Sequence, residues 1–309
     1  MSKHGARPAR VAHGRFFLST AFLLVFTLPL FPADFGSLIE EADAAYEADE
    51  YRAAIDTLEQ ALEEASGADQ RAEAYWRLSR AELGLGDLLR DREAGDDRIL
   101  ARFEQGESYG QKAIEADPQD HRGYYWKASN IGRWGQTKGV LNSLFRASEM
   151  RDLLEQAVQR EPEHSDSYYV LGQLYAKVPS FLSFGNISYA VSLARKSVRL
   201  HETERESDPD EDPEFDYYIQ LASHLSERGW SEGKRERRHD RLADEHERAS
   251  DVVEQSLYYE GSVSIPRMSD GAEARSILES VIPRLESVDD PGASEQRQLE
   301  RARELRADL

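Results

Sequence analysis

Three short stripes hold the side chains best suited to recognition. Trp76 is followed four residues on by Arg80, Tyr125 by Ser129 and then Arg133, and Tyr169 by Gln173 and then Lys177. In a helix a spacing of four keeps each set on one face, so ring, polar and cationic groups stand one turn apart. Aromatic and cationic groups sharing a concavity suit an elongated ligand with an apolar body and a carboxylate, or a peptide. The competing reading is that the rings are core spacers between helices and the cations only offset an excess of acid.

The other constellations carry less. Asp208, Asp210 and Asp212 have the one-three-five spacing of a calcium loop, but Pro213 stands where a glycine is needed and Ile219 where the closing glutamate should be. An acidic solvated linker explains them. His239 and His246 share a helix face near Glu245, yet lie seven apart, whereas zinc-protease histidines lie four apart; they read as surface residues. Gly132, Gly135 and Gly139 surround Trp134 in a segment rich enough in glycine to bend against a ligand, without the Gly-Lys-Ser/Thr ending of a phosphate-binding loop. The chain has no cysteine, which excludes disulfides, thiolate metal sites, cysteine nucleophiles and a lipidated cysteine. No nucleophile elbow and no grouping of Ser, His and Asp is apparent. The expectation is a protein that binds, with no cofactor and no catalytic residues.

The stripes must be positioned by helices. From Gly36 to Arg160 apolar and small residues recur at spacings of three and four, as in Leu38, Ala42, Ala45, Ala54, Leu58, Ala61 and Leu62, and strand-type alternation is scarce. The chain also repeats itself. Ala113, Ile114, Pro118, Tyr124 and Ala128 recur 44 residues later as Ala157, Val158, Pro162, Tyr168 and Gly172. The pattern extends back to Tyr75 and Leu78 and forward to Tyr218, Leu221, Ala222 and Leu225, with a less typical first unit at Ala42, Tyr51, Ala54, Leu58 and Ala61. Small residues let two helices approach, a neighbouring Tyr or Leu fills the gap to the next pair, and Pro118 and Pro162 end one hairpin and set the next.

Tyr168, Leu171, Gly172 and Tyr175 followed by Ala190, and Ala113 with Pro118, resemble the tetratricopeptide signature. Its unit of about 34 residues implies insertions within the hairpins here, at Arg92 to Arg102, Gly132 to Arg146, Pro179 to Gly185 and after Gly229. The segments Tyr124 to Ala128, Gly132 to Gly135 and Tyr168 to Pro179, with Gly185-Asn186, resemble a divergent group. It includes the periplasmic T component associated with TRAP-type solute transporters and the regulator-of-microtubule-dynamics proteins. The similarity covers roughly residues 70 to 230. It implies an all-α superhelical stack of tetratricopeptide-like hairpins with long insertions. It also implies that Trp76, Tyr125 and Tyr169, with the residues one and two turns on, face the inner surface.

The N-terminus and the charge narrow the setting. Lys3, Arg7, Arg10 and Arg15 precede the apolar run Phe16 to Phe31, with Pro29, Pro32 and Ala33 before the first acid, Asp34. This resembles a secretory signal peptide, or a short N-terminal anchor held at the inner membrane, and places the rest of the chain in a periplasm. With those four cations set aside, 35 basic residues face 59 acidic ones, a formal charge of −24. So acidic a surface repels nucleic acid and anionic lipid, and disfavours acidic protein surfaces unless a local basic patch intervenes. An exported chain favours the transport branch over an acidic microtubule surface. Its expected partner is an extracytoplasmic solute-binding protein, with a small apolar organic acid as ligand; the alternative is an envelope scaffold gripping protein segments. The expected divisions are 1–33 as the N-terminal segment, 34–230 as repeats and 231–309 as capping helices. Trp230, Tyr258 and Tyr259 offer a patch for either capping or homo-oligomer contact.

Overall fold

The computed structural model describes residues 34–139, 144–207, 214–289 and 291–309. Among these the chain is all α-helical, without a strand. The N-terminal segment and the Asp208 to Asp212 triplet lie outside the described residues. None of the described helices is long and apolar enough to cross a membrane.

The helices pair in chain order as hairpins. Helices α1 (Phe35–Glu47) and α2 (Tyr51–Glu64) form the first, α3 (Ala68–Asp91) and α4 (Asp96–Ala116) the second, and α5 (His121–Lys138) and α6 (Ala147–Arg160) the third. Helices α7 (Ser165–Lys177) and α8 (Ile187–Ser207) form the fourth. In the fifth, α9 (Asp216–Arg228) packs against α12 (Asp270–Glu286), with α10 (Glu232–Arg248), α11 (Val252–Leu257) and a short 3-10 turn (Tyr259–Ser262) inserted between them. Helix α13 (Ala293–Ala307) closes the chain against α12 and α9. The expected cap at 231–309 therefore contains the second helix of a hairpin as well as a terminal helix.

Close approach is built from small residues. Ala54, Ala61, Ala74, Ala128, Ala157, Ala190 and Ala222 are fully buried. A methyl group on Gly110 would sit 2.9 Å from the Lys127 backbone, so α4 and α5 meet there without room for one. The repeated tyrosine and proline form a joint: the Tyr124 hydroxyl donates to the Pro118 carbonyl at 3.2 Å, and the Tyr168 hydroxyl to that of Pro162 at 2.9 Å. Each tyrosine spans from the first helix of a hairpin to the turn before it, which is why the two recur together.

Two of the expected insertions are helical over much of their described length. At Arg92 to Arg102 only residues 92–95 are loop. The helices are simply long, because Leu85 and Leu89 continue the apolar stripe of α3 and meet Ile99 and Phe103 of α4. Asp96 and Asp97 in the first turn of α4 favour its start, where the helix dipole is positive. At Gly132 to Arg146, α5 runs on to Lys138; Gly132 and Gly135 are helical, and Gly132 faces the Met150 side chain of α6. Glycine there serves helix contact and does not bend the chain. The Pro179 to Gly185 segment is a connecting loop, and the segment after Gly229 is a true insertion. Gly229 ends α9 at φ 60, a left-handed position that glycine adopts without strain.

That last insertion is held by charge. Arg228 donates to Asp270 at 2.8 and 2.9 Å and also to Glu260. Arg235 donates to Glu273 at 2.5 Å and to the Met268 carbonyl at 2.8 Å, with Asp270 at 3.2 Å. Arg195 of α8 bridges Glu273 at 2.8 Å and Glu260 at 3.1 Å. Three guanidinium groups face three carboxylates, all largely buried. The neighbouring arginines hold Glu260 and Glu273 below the usual carboxylate range against the opposing effect of burial.

Candidate functional site

The first helices of the hairpins supply the row expected from sequence, and the structure divides it. Trp76 on α3 is 7% exposed. Its indole N–H donates to Glu73 at 3.2 Å, and the guanidinium groups of Arg77, Arg122 and Arg80 lie 4.1, 4.7 and 5.3 Å from the ring centroid. Arg80 is paired with Asp43 of α1 and covers the Tyr46 ring at 3.9 Å. Tyr125 on α5 is also 7% exposed, its ring edge-on to Trp126 and to His164, the latter at 4.8 Å. Burial raises its hydroxyl pKa far above the ordinary value, reinforced by the carboxylate of Asp166. Trp76 and Tyr125 are thus packed between helices and do not form an open wall, because guanidinium and imidazole groups from neighbouring elements close over them.

Further along the row the surface opens. Arg133 donates to Asp87 of α3 at 3.0 Å, tying the second hairpin to the third. Tyr169 on α7 is half-buried, its ring 5.2 Å from that of Tyr217 on α9. Burial and the carboxylate of Asp216 push its pKa up to about 12. Gln173 is half-buried and Lys177 exposed. These last two line a hollow of about 360 Å³ between α5, α6 and α7. Its walls are mainly apolar, with Ile131, Leu144, Met150, Leu174 and Val178, and Arg146 stands on its border. Arg146 is held by Glu107 at 2.6 and 2.8 Å and by Glu149 at 2.9 Å, which leaves Lys177 as the cation best able to meet a ligand's acid. Of the eight row residues the structure brings Gln173 and Lys177 together at this hollow. The other six belong to the packing between helices or border other parts of the row.

Sequence reasoning passed over a polar seam at the hairpin junctions. His121 opens α5 and His164 caps the start of α7, with ring centroids 4.7 Å apart. Burial, then the neighbouring His164, depresses His121 to about 4. The His164 ring meets the Ser167 hydroxyl at 2.7 Å. One hairpin on, the Tyr217 hydroxyl donates to Asp166 at 2.6 Å and contacts Ser165 at 3.2 Å, while its ring stacks on His201 at 4.6 Å. The signal was available: a histidine follows each of the repeated prolines within three residues. A second polar contact joins three helices. Asn130 of α5 donates to the Ser79 carbonyl and hydroxyl, each at 3.1 Å, and Ser79 donates to the Gly106 carbonyl at 2.7 Å.

His239 contacts the Val263 carbonyl at 2.9 Å through a ring nitrogen, and no group of three or more His, Asp or Glu residues stands ready to hold a metal among the described residues. Burial raises Glu82 to about 7, although Arg102 lies 3.3 Å away, but its surroundings are α3, α4 and the second hairpin's core.

Residues 38–182 match the family described as regulator of microtubule dynamics protein 1-3, a span from the first helix to just beyond the fourth hairpin's first helix. Regulator of microtubule dynamics protein 1 from Bos taurus is 26% identical over 135 residues, which is 44% of this chain and 40% of that protein. The chain thus spans well under half the length of this relative. Among solved structures, a thermophilic TPR protein from Thermus thermophilus is similar at 16% identity and a TM-score of 0.46, over 74% of this chain and 98% of that one. The chain is an all-α helical-repeat protein, a series of helix hairpins packed in chain order.

Proposed function

We propose that this protein is an exported, non-catalytic adaptor. It docks an extracytoplasmic solute-binding protein of a TRAP-type transport system and takes a small apolar organic acid at the hollow between α5, α6 and α7. The observation that carries the reading is that hollow. It is apolar along its walls, large enough for an acyl or aryl group of modest size, and bordered by the exposed amine of Lys177 and the amide of Gln173. An acid lying there would place its apolar body against Met150, Leu174 and Val178 and its carboxylate toward Lys177. Export is supported by the basic, apolar and proline-bounded N-terminal segment.

The test is native mass spectrometry of the protein recovered from an exported fraction, with and without the changes Met150→Trp and Lys177→Glu. Co-purification of a solute-binding protein together with an organic acid, and loss of the acid from both variants, supports the adaptor. Recovery of assorted envelope proteins with no small ligand replaces it by a scaffold that grips protein segments.

A further inference from the structure

The insertion between α9 and α12 is unusual in what holds it. Its longest helix, α10, buries one residue, Arg235. Helix α10 is fixed by the Arg195, Arg228 and Arg235 pairs with Glu260, Asp270 and Glu273, while Val252, Val253 and Leu257 of α11 join the apolar core of the third and fourth hairpins. Buried ion pairs add little net stability, since desolvation consumes most of the attraction, but they tolerate few alternative geometries. With Arg235 turned inward to these carboxylates, the opposite face of α10 is turned to solvent.

That face is cationic. Lys234, Arg238 and Arg241 are exposed and follow one another at four and three residues, a single stripe about 10 Å long. Among the described residues neither Lys234 nor Arg238 has a carboxylate within 4.0 Å, and Arg241 has only the long contact to Glu245 at 3.4 Å. The stripe borders a half-buried aromatic, Trp230, whose ring centroid lies 4.9 Å from the Lys234 amine and 5.9 Å from the Arg238 guanidinium. Trp230 is itself fixed by hydrogen bonds of 2.9 Å between its backbone and Asp270 and by the buried Arg228 guanidinium 4.2 Å from its ring. Next to it lies a hollow of about 270 Å³, lined by Arg238, Arg241, Glu245 and the paired hydroxyls of Tyr189 and Tyr258, which stand 3.2 Å apart; the Glu245 carboxylate there is engaged by Arg241.

We propose that this face docks a short acidic segment of a protein partner, with carboxylates on the Lys234–Arg238–Arg241 stripe and an apolar or aromatic side chain against Trp230 and the tyrosines. The protein's formal charge is −20, so Lys234 and Arg238, with no carboxylate partner among the described residues, and Arg241 beside them form a local reversal of its field. The reversal is short. Glu245 ends it one turn beyond Arg241, and Glu232, Glu236, Asp240, Asp244 and Glu247 flank it on the same helix, so an extended polyanion such as duplex nucleic acid, or an anionic bilayer, would run from the stripe onto acid. A segment bearing a few carboxylates fits within it. The inference uses none of the residues of the α5, α6 and α7 hollow and stands apart from the adaptor reading.

The experiment uses the intact protein and fluorescence anisotropy of a labelled nonapeptide of eight glutamates around a central phenylalanine, beside its glutamine counterpart. The acidic peptide binds and the glutamine peptide does not. Binding weakens when salt is raised from about 0.05 to about 0.3 M, as charges at a surface are screened. Lys234→Glu with Arg238→Glu reduces affinity at least tenfold, and the milder Lys234→Gln with Arg238→Gln pair reduces it to a smaller degree. Both pairs leave helicity intact and shift Tm only slightly, because both side chains are exposed and lose no ion pair, only their contact with the Trp230 ring. Reversal at a remote exposed cation, Arg71→Glu, leaves binding unchanged. Equal binding by wild type and the Lys234/Arg238 variants, or no binding of the acidic peptide at all, overturns the proposal. A single-stranded oligonucleotide or phosphatidylglycerol vesicles binding through the stripe more tightly than the peptide overturns it in favour of those ligands.

Discussion

His224 makes the stability of the fourth and fifth hairpins depend on pH in a way that can be worked out in advance. Its ring is 5% exposed on α9, and burial, reinforced by Lys177 and Arg301, depresses its pKa from 6.5 to about 3. One ring nitrogen lies 3.2 Å from the Gln220 amide nitrogen, and that amide also donates to the Tyr169 carbonyl at 2.8 Å. The imidazole must therefore accept at this nitrogen, and protonation would set donor against donor. The folded form holds no proton on His224 at pH values where the unfolded chain does, so stability rises with pH. The full contribution is present above 6.5 and is lost progressively as pH falls below it, down to about 3. At pH 5 the unfolded imidazole is 1.5 units below its pKa, which corresponds to about 2 kcal/mol. Glu82 works in the opposite sense. Its pKa is raised to about 7, so its burial becomes less costly as pH falls from there toward the ordinary carboxylate range. The wild-type profile alone mixes the two, and the informative quantity is the difference between wild type and His224→Gln in urea unfolding at pH 8 and at pH 5. The variant is the less stable at pH 8, and the gap closes or reverses by about 2 kcal/mol at pH 5. A gap of the same size at both pH values would refute the reasoning, as would an NMR titration in which the His224 ring gains its proton near 6.5 in the folded protein.

Arg228→Met removes one partner and leaves Glu260 and Asp270 buried beside fewer cations; thermal unfolding should show a loss of about 3–5 kcal/mol, and a loss below about 1 kcal/mol would mean that the carboxylates are solvated. Asn130→Leu removes the donor shared by the Ser79 carbonyl and hydroxyl, while the hydroxyl keeps its bond to the Gly106 carbonyl; it should cost about 1–3 kcal/mol by urea unfolding, and the double variant with Ser79→Ala should cost less than the sum of the two single changes. Gly110→Ala places a methyl group against the Lys127 backbone and should cost about 1–3 kcal/mol, seen as a lower Tm with the far-ultraviolet helix signal retained.

Much of the architecture was legible because its periodicities come from packing that cannot vary freely. The alanine, tyrosine and proline positions repeated at 44 residues are the ones that touch: Ala128 and Ala157 in one core, Tyr124 on Pro118, Tyr168 on Pro162. The extensions of α3, α4 and α5 were not legible as helix. A length argument from the 34-residue unit assigned the extra residues to loops, whereas Leu85, Leu89, Ile99 and Phe103 continue the helical spacing across that boundary. Gly132 and Gly135 carried a second ambiguity, since glycine marks both a bend and a close helix contact, and only the neighbouring Met150 decides between them. At the candidate site, the four-residue spacing sets each group on one helix face but says nothing of its exposure. Trp76 and Tyr125 are covered by Arg122 and His164, which come from the starts of the following hairpins. No spacing within one helix carries that information.

The C-terminal third shows the same limit in charges. Lys234 to Arg238 reads as one polar run, yet Arg235 is 2% exposed while Lys234 and Arg238 are open to solvent. The residues that hold Arg235 come from elsewhere in the chain: Asp270 and Glu273 from α12, and, through Glu273, Arg195 from α8. Arg228 and Arg235 are seven residues apart, but a glycine turn lies between them, so helical periodicity does not link them. The cations of one mixed charged run are thereby split by the fold into an inward and an outward set. The inward member fixes the insertion in place, and the outward members are left as a cationic stripe on an acidic protein. The division follows from electrostatics: a guanidinium loses too much hydration on burial to be placed among carboxylates without matching geometry, while those outside keep their water and remain available.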